Sequence, residues 1–142
     1  MKKIISLITL LAICTVLLTG CGKLNVNKAV KALKAKGFTE SVTYKTADDL
    51  ADGTELFNTQ IEYWKGDFTV KLKDYTVLVA ERNPEKDVEF ITFSSKREAR
   101  AYAELFVTSR SDYDNSKIAT SGAVVVITGL DRVMDMLELD FK

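Results

Sequence analysis

Between Ala123 and Thr128 the chain reads AVVVIT, and no other run limits the fold so strongly. A strand with one wet face alternates apolar and polar residues. This run does not alternate, so it must lie inside a sheet as a central strand covered on at least one face. Read together with Ile118 it forms one element, Ile118 to Thr128, that Gly129 breaks, and Gly122 and Gly129 are turn residues.

The flanking segments add the remaining layers. In Asn25 to Phe38, Val26, Ala29, Val30 and Leu33 share one helical face while Lys28, Lys31 and Lys34 line another. Asn25 or Asn27 can cap this helix, and Gly37 with Phe38 behind it can end it. Phe38 to Tyr44 reads as a strand with Phe38, Val42 and Tyr44 on one side. Tyr75 to Ala80 and Val88 to Phe93 are two adjacent antiparallel strands, with Asn83-Pro84 as the turn signal. Ser94 or Ser95 can cap the next helix, with Ser95-Lys96-Arg97-Glu98 at capping-box spacing; Ala99, Tyr102, Ala103 and Phe106 follow at helical intervals, which places Tyr102 and Phe106 on the buried side. Val88 to Thr128 then forms a strand-helix-strand crossover. Asp131 can cap a last helix with Val133, Met134, Leu137 and Phe141 on its apolar side. The segment from Thr46 to Val70 has no clean period and reads as a helical turn around Ala47 to Leu50, a strand from Thr59 to Trp64 and a turn at Lys65-Gly66-Asp67. The order predicts an α+β domain: an antiparallel or mixed sheet of about four to five strands, helices on one face, and a helix at each end.

The N-terminus has a separate logic. Met1-Lys2-Lys3 precedes an uncharged run, Ile4 to Leu18, that is too short for the roughly 20 residues of a membrane span. Leu18-Thr19-Gly20-Cys21 resembles the lipobox of bacterial lipoproteins. The resemblance implies cleavage between Gly20 and Cys21, a diacylglyceryl group on the Cys21 thiol, and a domain anchored on the extracytoplasmic face of the cell membrane. On that basis residues 1–20 are a signal peptide, 21–26 a short tether and 27–142 one domain. The element order is also loosely similar to that of small Gram-positive surface lipoproteins, which supplies no residue roles.

Lipidation of Cys21 and removal of Cys14 with the signal would leave no free thiol, and the chain contains no histidine. Histidine-based zinc sites, Ser-His-Asp triads and Cys-His dyads are thereby excluded, and no metal or cofactor is expected. The 122-residue mature chain would carry 18 basic and 20 acidic side chains, a balance without a nucleic-acid footprint. The distribution is uneven. Cys21 to Thr39 holds five lysines and no acid; of these Lys23, Lys28, Lys31 and Lys34 are candidates for contact with an anionic membrane surface.

Asp48, Asp49, Asp52 and Glu55 form the densest acidic group, but their spacing does not match a calcium loop. Asp112-Tyr113-Asp114-Asn115 is a second acidic loop. Tyr63, Trp64 and Phe68 gather aromatics around a turn and are the candidates for contact with a protein or small ligand, a role that expects Trp64 to be solvent-accessible. The sequence therefore favours a membrane-anchored binding module without catalysis. A mobile-element immunity or phage-exclusion lipoprotein, a small carboxylate-dependent hydrolase, and a structural role at the membrane or wall are the other readings.

Overall fold

A computed structural model describes residues 23–110 and 115–142. In chain order the elements are α1 (Val26–Lys34), β1 (Phe38–Tyr44), α2 (Ala47–Tyr63), β2 (Leu72–Ala80), β3 (Asn83–Phe93), α3 (Lys96–Ser109), β4 (Lys117–Ser121), β5 (Val124–Thr128) and α4 (Asp131–Leu137). The strands form one five-stranded sheet in the order β1-β2-β3-β5-β4, and every neighbouring pair is antiparallel. This is an α+β fold, with a helix near each end of the described chain.

Residues 118–128 are two strands where the sequence reads as one. A two-residue turn, Gly122-Ala123, folds β5 back on β4 with Ser121 paired to Val124. Gly122 supplies the positive φ of 61° that such a turn needs at its first position. β3 and β4 consequently run parallel with β5 between them, so the α3 crossover joins strands that are not neighbours.

Both faces of the sheet are covered, not one. Val124 and Val126 pack with Phe90, Ala29, Leu33, Val133 and Leu137 under α1 and α4. Val125 and Ile127 pack with Ile91, Phe93, Phe57, Ile61, Tyr102 and Phe106 under α2 and α3. All five β5 residues are buried, which is why AVVVIT carries no polar position before Thr128: neither side of β5 meets water.

A bulge resets the faces of β1. Glu40 pairs with Leu78 and Val42 with Val77, leaving Ser41 as the extra residue. Phe38 therefore joins the α1/α4 core, whereas Tyr44 stacks on Tyr75 at 5.2 Å on the other side. Even spacing alone places them together; the bulge separates them.

The segment after β1 is one 17-residue helix, not a turn followed by a strand. Thr46 caps it, its hydroxyl accepting from the Asp49 amide at 3.2 Å. Gly53 sits mid-helix because α2 lies close on the sheet there: a Cβ at that position would come within 2.8 Å of the Tyr44 ring and 2.9 Å of Leu72. At the C-terminus the last helix starts without the capping carboxylate. Leu130 occupies the N-cap and Asp131 is the first helical residue; the Thr128 hydroxyl accepts from the Leu130 amide at 3.2 Å.

Candidate functional site

The chain enters the fold earlier than residue 27. Leu24 is buried, its amide donates to the Ser121 hydroxyl at 2.8 Å, and the Asn25 side chain accepts from the Lys28 amide to cap α1. Any tether from Cys21 thus ends at Leu24. α1 sets Ala29 and Leu33 in the core and leaves Lys23, Lys28, Lys31 and Lys34 exposed. Lys34 also pairs with Glu40 at 3.1 Å, an exposed contact of small energetic weight. Gly20 and Cys21 lie outside the described residues, as does the Asp112-Tyr113-Asp114 part of the acidic loop.

Opposite α1, across the sheet, lies α2 with the reverse charge. Asp48, Asp49, Asp52, Glu55 and Glu62 stand on it, and no basic residue occurs between Thr46 and Trp64. Beside α2 runs an open groove of about 780 Å³ whose lining includes Glu55, Glu62, Asp67 and Phe68. Asn58 builds its wall: its side chain accepts from the Val70 amide at 2.8 Å and donates to the Val70 carbonyl at 3.1 Å. The Thr54 hydroxyl accepts from the Leu72 amide at 3.0 Å one turn earlier. These bonds hold the 66–70 segment extended along the helix.

The three aromatics singled out from sequence do not form one patch. Tyr63 is 82% exposed. Trp64 is half-buried and lies over Tyr102 and Phe106, with ring centroids 6.1 and 6.0 Å away. Phe68 is half-buried in the groove lining. Adjacent positions on a helix point about 100° apart, so Tyr63 and Trp64 cannot both face solvent when one anchors the helix.

Sequence reading passed over the polar group inside the α2/α3 face. The Tyr75 hydroxyl donates to Glu89 at 2.8 Å, and the Tyr102 hydroxyl donates to Gln60 at 2.9 Å. Burial pushes both phenols well above their ordinary range, and the nearby Glu89 carboxylate pushes each further. The alternation in Val88 to Phe93 put Glu89 on the strand face opposite Phe90, which reads as solvent only if helices cover one side of the sheet.

Chemically, the α2 groove is suited to recognition. Its three carboxylates are all exposed, whereas acid-base pairs work from sites that withhold water. Among the described residues no three acids or thiols converge to hold a metal ion. A second groove, of about 560 Å³, lies between α3, β4 and the C-terminus and mixes Arg100 and Lys142 with Glu104 and Asp140. Lys142 closes it by pairing main chain to main chain with Ile118, at 2.9 and 3.2 Å.

No family model, curated protein or solved structure matches the chain. Among the described residues, no helix is long and apolar enough to cross a membrane.

Proposed function

We propose that the protein is a lipid-anchored, extracytoplasmic binding module, held against a membrane by Cys21 and without catalysis of its own. The observation that carries this reading is the short link between a lipobox cysteine and a core residue. Leu24 is fixed to Ser121, and three residues can span at most about 10 Å. A lipid on Cys21 would therefore hold the domain against the surface. Two acyl chains give stable anchoring where one is marginal.

The charge pattern supports the same orientation. Each exposed lysine near an anionic surface contributes on the order of 1 kcal/mol within a Debye length; α1 carries three such residues, Lys28, Lys31 and Lys34, and Lys23 stands just before it. The acidic α2 is on the opposite side of the sheet and is repelled. Lipidation and the absence of histidine remove the common nucleophile systems, which favours binding over chemistry.

The test is maturation of the full chain in a bacterial host. Labelled fatty acid should enter the wild-type protein and shift it to the membrane fraction. Cys21→Ala should take no label and remain an unprocessed precursor; normal maturation of that variant would refute the reading.

A further inference from the structure

The two large apolar side chains most exposed among the described residues are Leu56, at 61%, and Tyr63, at 82%. Both lie on α2, seven residues and so two turns apart, about 10 Å along one flank. Neither is needed inside: Leu50, Phe57, Ile61 and Trp64 already fill the buried stripe against the sheet and α3. The acids around them are also not accounted for by helix stability. Asp48 and Asp49 suit the positive end of the dipole. Glu62 stands in the last turn, where the dipole favours a cation and where α2 has none.

We propose that the outward surface of α2 docks a cationic, amphipathic segment of a partner protein. Leu56 and Tyr63 supply its apolar contact, and Asp52, Glu55 and Glu62 meet its basic side chains. The occupant's charge follows from complementarity. Every charged side chain from Thr46 to Trp64 and in the groove lining is a carboxylate, so an acidic segment is repelled and a neutral one makes the apolar contact without the charge pairing. Tyr63 is of a residue type enriched at interaction hot spots, and the carboxylates around it set the sign of the charge a partner must bring. The site faces away from α1, so a membrane-anchored copy presents it to the external medium. This names the partner chemistry of the binding role proposed above and rests on that role.

The probe is a labelled lysine-rich amphipathic peptide, with its glutamate-substituted counterpart as control. Each is titrated against the full chain in phosphatidylcholine nanodiscs, with empty nanodiscs subtracted. The lysine peptide should bind, the glutamate peptide should not, and raising the salt should weaken binding because the pairs are exposed. The double variant Leu56→Ser with Tyr63→Ser should weaken it about tenfold or more, and Glu55→Gln with Glu62→Gln several-fold. Circular dichroism should show each variant folded, since all four side chains are exposed. Equal binding of both peptides, or binding unchanged in the Leu56/Tyr63 variant, overturns the proposal. So does a concentration-dependent dimer of the chain that this variant abolishes, because the occupant would then be a second copy. Lipidation of Cys21 is read separately, so either proposal can fail while the other stands.

Discussion

The amide of Leu24 is bonded to the hydroxyl of Ser121, 97 residues away in the chain, at 2.8 Å. This contact ties the start of α1 to the β4–β5 turn and ends the reach of any tether from Cys21. Ser121 is itself buried, so water cannot easily replace it. Ser121→Ala should leave a buried donor unpaired and cost about 1–2 kcal/mol. Urea unfolding measures that loss, and faster hydrogen exchange at the Leu24 amide would place it at this contact.

Gly53 makes the opposite trade from most helical glycines. Replacing an exposed helical glycine with alanine gains about 1 kcal/mol. Here the added methyl meets the Tyr44 ring at 2.8 Å and Leu72 at 2.9 Å, and overpacking costs about 1–3 kcal/mol. Gly53→Ala should therefore destabilise the domain, and Gly53→Val more so, with lower urea midpoints in that order. A rise in midpoint for Gly53→Ala would show that α2 can lift from the sheet.

The same glycine explains what the sequence hid. α1 and α3 were legible because their caps, apolar stripes and charged faces agree. In α2 the stripe Leu50, Phe57, Ile61, Trp64 is present, but Gly53 interrupts it and Leu56 and Tyr63 put apolar residues on the wet side. The residues that blurred the helical period are the ones now assigned to partner contact. Periodicity equally missed the bulge at Ser41, since a shift of one residue changes faces without changing composition; Gly122 does read as a turn residue, but the short polar-apolar run before it hid the separate strand β4. Glu89 was missed because its partners, Tyr75 and the helix carrying Tyr102, come from separate elements.

The Tyr75 hydroxyl donates a hydrogen bond to Glu89 within the α2/α3 face. A hydrogen bond to a charged acceptor is among the stronger kinds, so Tyr75→Phe should cost about 1–2 kcal/mol near neutral pH. The phenol's folded pKa is raised by burial first and by Glu89 second. A raised pKa means the stabilisation is complete below the unfolded value of about 10 and is lost as pH rises through the folded one. Wild-type stability should thus fall on the alkaline side, and the gap to Tyr75→Phe should narrow there. Thermal unfolding of both proteins from pH 8 to 11 checks this.

Asp87 carries a carboxyl that the fold disfavours in its charged form. It lies within β3 paired with Val79, its carbonyl accepts from the Thr128 hydroxyl at 2.9 Å, and burial raises its pKa above the ordinary carboxylate value. The native state then holds the proton more tightly than the unfolded chain. Its contribution is fully present below the unfolded pKa of about 4 and is lost as pH rises through the folded value. Asp87→Asn keeps the shape and removes the titration. The variant should melt above wild type at pH 7, and the difference should shrink towards nothing by about pH 3, where both side chains are neutral. An advantage that persists unchanged at low pH would assign the gain to packing instead of charge.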